Sequence, residues 1–246
     1  MRNNKILNSK MKLLDEKAMP LSEHIEELRN RFIQSILVFM LVLVLCLLNV
    51  RKLVKLLQFP AKGVKFLQLA PGEYFFTSMK ISLYSGLILS SPFIIYQIII
   101  FILPGLTRKE RNILLPTIIG SSCLFLTGVL FGYILIIPAA LKFFIQYGAD
   151  IIEPFWSFEE YFNFILVSLI STGLVFQIPI LQISLGILNI VNSTQMFSIW
   201  RYVIISSTII SAILTPSTDP LTQIILAFII LSLYFSGILL LKFMRL

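Results

Sequence analysis

An all-α polytopic membrane protein is predicted by three observations. Of the 246 residues, 57% are hydrophobic and 13% charged, whereas soluble domains carry roughly 25% charged residues. Mean hydropathy is +0.92, and the apolar residues gather in long uncharged runs. Such a run crosses the ~30 Å hydrocarbon layer as a helix when it holds about 20 residues, because in lipid every backbone N–H and C=O has to be paired within the segment.

The elements follow in order. Residues 1–20 are polar and contain Asp15 and Glu16, unlike a cleaved signal or an acid-poor transit peptide, so they are expected to form a tail ahead of one membrane domain over 21–246. Uncharged runs lie at 32–50, 81–102, 112–141, 161–200, 202–218 and 220–241. The run 161–200 exceeds one span, and the polar stretch Asn189-Ile-Val-Asn-Ser-Thr194 divides it. Six spans are therefore predicted near 32–50, 79–102, 112–137, 160–187, 200–214 and 220–241. Only thirteen residues separate Arg201 from the Thr215-Pro216 break, about 20 Å of helix, so the fifth span is expected to be short, and the sixth with it; a re-entrant hairpin formed by segments five and six is the alternative. Pro92, Pro116, Pro138 and Pro179 fall within or at the ends of runs; each removes a backbone donor and bends its helix, which predicts a concave face in the membrane. Pro60, Pro104 and Pro216 mark turns between runs. In the outward connections Pro60, the Pro71-Gly72 turn with Glu73, and residues 139–160 should form a cap, with 141–147 a short interfacial helix. Cys46 and Cys123 sit in apolar runs, as buried small hydrophobes do.

With six spans, both termini share one side. Thirteen of the twenty Lys and Arg flank the spans on that side and seven on the other, which places the termini inside. The net charge of +8 is thus a topological signal, and no basic aromatic motif points to nucleic acid.

Catalytic constellations are missing from the sequence. His24 is the single histidine, so a two-histidine metal site is impossible, and no glycine-rich loop follows a strand pattern. No cofactor or metal is expected. The GxxxG of Gly128 and Gly132 predicts close helix packing. Gln97, Gln177, Gln182 and Gln223 lie in or beside apolar runs, where amides bond to neighbouring helices; Gln177, two residues before Pro179, is expected in a kinked polar pocket.

The stretch LSEHIEELRNRF at 21–32 places three glutamates before the first span. Leu21, Ile25, Leu28 and Phe32 form one helical stripe, so Glu23, Glu26 and Glu27 are expected on its flanks or opposite face, displayed to water. Glu27 and Arg31, four apart, can pair.

Five motifs in order carry a resemblance: SEHIEELRNR at 22–31, APGEYFFTSMK at 70–80, SPFIIYQIIIFILPGLTRKERN at 91–112, FQIP at 176–179 and LTPSTDPLTQ at 214–223. Together they are similar to the TatC family, and the match runs collinearly from Leu21 to the C-terminus. LAPGEYFFTSMK, YGADIIEPFWS and IWRYVI resemble the cyanobacterial and plastid branch. The resemblance implies a non-enzymatic core and receptor subunit of the twin-arginine translocase, which exports folded proteins bearing a twin-arginine signal using the proton-motive force. It implies that Glu27 and Glu110 bind the signal's arginine pair, since a guanidinium fork pairs bidentately with a carboxylate, with Arg29 and Phe101 beside them. It also implies that Gln177, Ile213, Thr215 and Gln223 dock TatA- or TatB-type single-span subunits, and that copies assemble within a receptor complex. Many relatives have glutamate at the Gln177 position, so proton carriage there is not expected of this chain. A secondary transporter or channel is the alternative, although 161–200 carries no Lys or Arg and no internal repeat is visible. An Ile-, Asn- and Lys-rich sequence without a visible import signal is expected of a plastid-encoded thylakoid protein with stromal termini; a bacterial or mitochondrial inner membrane is the alternative.

Overall fold

The computed structural model describes residues 21–61, 64–102, 108–147, 155–187, 190–215 and 219–243. Helix α1 (Leu21–Leu48) is followed by the short α2 (Val50–Gln58), a 3-10 turn (Phe59–Ala61) and strand β1 (Lys65–Leu67). Helices α3 (Glu73–Ile102) and α4 (Arg108–Phe131) come next, and α4 runs through a π turn (Gly132–Ile136) into α5 (Ile137–Tyr147). Strand β2 (Phe155–Ser157) leads into α6 (Phe158–Val175), then α7 (Ile178–Ile187), α8 (Ser193–Ser198), α9 (Trp200–Leu214) and α10 (Pro220–Phe243).

Among the described residues, five stretches are long and apolar enough to cross a membrane: Glu23–Leu48, Glu73–Phe101, Pro116–Tyr147, Phe158–Ile187 and Pro220–Phe243. The sixth candidate, Trp200–Leu214, has 15 residues, about 22 Å of helix. The expected fifth segment is therefore a short apolar helix. The last helix is not short: α10 has 24 residues, about 36 Å, because Asp219 caps its start and no breaker interrupts it before Phe243. The Asp219 carboxylate accepts from the backbone N–H of Thr222 at 2.8 Å and from its hydroxyl at 2.6 Å, with Pro220 at the first helical position, where a missing N–H costs nothing.

Two expectations about the third span and the cap also change. Residues 141–147 are not a separate interfacial helix; they end α5, which continues the third span. Pro138 cannot donate to the carbonyl four residues back, and the π turn just before it widens the helix so that the backbone N–H of Ile137 reaches Gly132 O. The cap also contains a strand pair, β1 with β2 in parallel, Phe66 opposite Trp156, which three-residue segments cannot announce by periodicity. Cys46 is buried as expected, whereas Cys123 is exposed; a thiol on an apolar helix face needs no protein cover in lipid.

The fourth span breaks at Phe176-Gln177, between α6 and α7, as Pro179 requires. Its two halves pack on different partners. Helix α6 lies against α3 and α4, and α7 against α10. Phe158, Tyr161, Phe162, Ile165 and Leu166 of α6 centre one core with Val54, Leu57, Ile81 and Ile137; Ile183 and Ile187 of α7 join Ile238 and Leu241 in another. The Gly128/Gly132 face is the α4–α6 contact: a Cβ at Gly128 would lie 2.8 Å from Thr172 O, and one at Gly132 2.3 Å from Thr172 Oγ1.

Glu73 ties the cap together. The turn that precedes it has Gly72 at φ +80°, the left-handed position that follows proline in a type II turn. One carboxylate oxygen of Glu73 accepts from the backbone N–H groups of Leu69 and Ala70, the latter at 3.1 Å. The other accepts from Ser157 Oγ at 3.1 Å and Glu159 N at 2.9 Å. A single buried side chain thus holds the loop before α3 to the start of α6. Tyr133 and Tyr161 donate to Leu56 O and Leu57 O in the last turn of α2, where Leu56 O also accepts from the backbone N–H of Phe59.

Two outcomes are expected. Gly128→Ala should lower unfolding stability in detergent by about 1–3 kcal/mol, the usual cost of overpacking, whereas Gly120→Ala, whose nearest neighbour would be 3.9 Å away, should leave it unchanged. Glu73→Ala should speed protease cleavage of the cap between α2 and α3, read by gel mobility, without loss of membrane insertion.

Candidate functional site

At the N-terminal end of α1, the helix turns differently from what its apolar stripe predicts. Ile25, Leu28 and Phe32 are exposed, and the face packed on α3 carries His24, Glu27, Arg31 and Ser35 instead. Glu23 and Glu26 are displayed, but Glu27 is half-buried. The reason is the solvent. In lipid an apolar side chain gains nothing by facing protein, while a polar one must find partners there.

Those partners form a chain of contacts. Arg31 donates from Nε to Glu27 Oε1 at 2.9 Å, and its Nη2 reaches the same oxygen. Its Nη1 donates to Gln97 Oε1 of α3 at 3.0 Å, and Gln97 Nε2 donates to Gln34 Oε1 at 2.9 Å. The second carboxylate oxygen of Glu27, Oε2, is buried and has no hydrogen-bond partner among the described residues. One helical turn nearer the N-terminus, His24 stacks on Phe101 with ring centroids 4.5 Å apart. Beside the network lies an apolar groove of about 330 Å³ between α1 and α3, walled by Leu28, Phe32, Phe39, Ile94, Ile98 and Phe101, with Arg31 and Gln97 at its polar edge.

Of the predicted site residues, Glu27 pairs with Arg31, and Phe101 stacks on His24 one turn nearer the N-terminus and lines the groove. Arg29 does not join them; it pairs with Glu26 at 3.1 Å on the exposed flank, because one residue along a helix turns a side chain by about 100°. Glu110 is in the first turn of α4, but its side chain, like those of Arg108 and Arg111, lies outside the described part, as do residues 103–107 with Pro104. Pro60 is in the 3-10 turn of the cap.

The predicted docking residues separate into two places. Gln177 sits at the α6–α7 break and is engaged by Ser121 of α4, which donates to its Oε1 and accepts from its Nε2 at 3.0 Å. Helix α9 packs mainly on α10 and buries only Ser207 and Ser211. Its outer face exposes Tyr202, Ile205, Ile209 and Ile213, with Ile213 76% exposed. Thr215 closes this helix by donating to Ser211 O at 2.9 Å, and Gln223 reaches Thr208 O at 3.5 Å across to α9. Pro216 lies outside the described residues.

Three features escaped the sequence reading. The Glu27, Arg31, Gln34 face has i, i+4, i+7 spacing, which is a helical stripe of polar residues and was the available signal. Asp219 was announced by Asp-Pro-x-Thr, a capping pattern. Lys80, counted only as a topological charge, pairs with Glu159 and lies 3.4 Å from Asn163 Oδ1, joining α3 to α6; no local spacing links residues so far apart.

Polar groups set into helix contacts, an apolar groove and an open helix edge define a polytopic helical membrane protein whose surfaces are built for binding. The profile described as Sec-independent protein translocase protein (TatC) matches residues 23–228, and the chain belongs to the TatC family. It is 59% identical over 94% of its length to the uncharacterized tatC-like protein ycf43 of Cyanidium caldarium, covering 97% of that protein. It is 54% identical to the Sec-independent protein translocase protein TatC of Synechocystis, over 91% of this chain and 88% of that one. A crystal structure of the twin arginine translocase receptor TatC superposes with a TM-score of 0.80 at 33% identity, over 89% of this chain and 99% of that chain.

Proposed function

We propose that this chain is the receptor and core subunit of a twin-arginine translocase, and that Glu27 and Glu110 together bind the paired arginines of precursor signals. The observation that carries the reading is the Glu27 carboxylate, one oxygen engaged by Arg31, which itself edges an apolar groove, and the other without a partner among the described residues. A permanently charged guanidinium suits that oxygen, and the groove gives apolar residues next to the arginines a surface to lie on. Two arginines need a second carboxylate, and Glu110 in the first turn of α4 is the motif residue that supplies it. The partners are single-span TatA- or TatB-type subunits, docked on the outer face of α9 around Ile213 and assisted by Gln223 and Thr215. Gln177 offers a second contact through the acceptor and donor capacity that Ser121 leaves free. Several copies assemble within one receptor complex, and the proton-motive force drives transport. The membrane is the thylakoid, with both termini stromal; the charge bias across the spans and the red-algal and cyanobacterial relatives support this placement.

Charge reversal is the direct test. Glu27→Lys and Glu110→Lys should each abolish capture of a twin-arginine precursor, measured by co-purification, while membrane insertion stays unchanged; normal capture by both variants would sink the receptor assignment. For docking, a cysteine at 213 should form a disulfide with a cysteine in the span of a single-span subunit. Gln223→Leu should reduce that yield rather than abolish it, since a hydrogen bond in the membrane is worth ~0.6 kcal/mol on average.

A further inference from the structure

We infer that Gln97 is a positioning residue for signal recognition: from α3 it grips Arg31, which holds the Glu27 carboxylate in the orientation that an incoming arginine meets. The inference rests on the receptor reading above. Its physical content is the geometry of one guanidinium. An arginine on a helix surface, paired only with a carboxylate one turn away, samples many rotamers and contributes little. Arg31 is different because its planar fork is held at both edges, by Glu27 through Nε and Nη2 and by Gln97 through Nη1. Gln97 is itself 5% exposed and anchored by its donation to Gln34, so α1 and α3 fix the plane between them.

Fixing the plane fixes the carboxylate. Both Arg31 donors converge on Oε1, and this leaves Oε2 without a partner among the described residues. Such an acceptor gains a charge-assisted bond when a guanidinium arrives. Arg31, at the edge of the apolar groove, then presents the carboxylate to its ligand already oriented, the arrangement that raises affinity by preorganisation. Losing Gln97 would leave Glu27 and Arg31 in place chemically but free to turn, so that the same groups would bind with an added ordering cost.

The test is a double-mutant cycle on affinity for a labelled twin-arginine signal peptide, using the full chain in nanodiscs and fluorescence anisotropy. Gln97→Leu should weaken binding on the order of ten-fold, about one charged hydrogen bond. In an Arg31→Leu background the same substitution should change affinity less than about two-fold, because the route through Arg31 is gone. A residue that merely glues α1 to α3 would lower affinity equally in both backgrounds, and that result would overturn the inference. So would unchanged or tighter binding by Gln97→Leu; tighter binding would mean that Arg31 competes for Glu27. If Gln97→Leu does not accumulate in the membrane, Gln34→Leu takes its place, with a loss of a few-fold expected and an unchanged affinity overturning the proposal. Glu27→Lys and Glu110→Lys separate the two levels: full binding by both variants sinks the receptor reading and this inference with it, whereas loss by Glu27→Lys with none by Gln97→Leu overturns the inference alone.

Discussion

In hydrocarbon, a polar group that lacks a partner inside the protein has none at all, and this constraint decides which face of each helix turns inward. Helix α1 shows its effect most directly. The stripe that would be a core face in water is exposed, and the face bearing Glu27, Arg31 and Gln34 meets α3, where Gln97 waits. The same requirement places Gln177 against Ser121 and sets Lys80 between Glu159 and Asn163. Apolar packing then fills in around these contacts, with close approach at Gly128 and Gly132.

The two ends of the molecule satisfy the constraint differently. In the cap, Glu73 gathers four donors from two loops and becomes a fixed structural tie. At the opposite end, Glu27 receives its donors on one oxygen and leaves the other open. Two carboxylates of the same chemistry thus serve holding in one case and binding in the other, and the difference lies in how many backbone N–H groups the local fold directs at them.

Helices α9 and α10 illustrate a related division. Both are apolar, yet α10 is packed by α7 on one side and α9 on the other, while α9 buries two serines against its neighbours and exposes its bulky residues. An apolar edge of this kind is stable in lipid without a partner, so it remains available for one; in water the same surface would have had to be covered.

Much was legible in the residues alone. Hydropathy gave the membrane class because run length and hydrocarbon thickness are both fixed quantities, proline gave the break in the fourth span because a missing N–H cannot be replaced locally, and five ordered motifs gave the family. Glu27 was legible as a candidate through its motif, but its orientation was not, since stripe reasoning assumes that water is the solvent for the polar face. The long sixth helix was misjudged from the Thr215-Pro216 break, which ends α9 without shortening the helix that Asp219 begins. Only the tertiary structure decided which groups separated by tens of residues meet: Arg31 with Gln97, Glu73 with Ser157, Lys80 with Glu159. The physical reason is that a chain's local spacing sets the phase of each helix, whereas the pairing of polar groups between helices depends on the packing of all of them at once.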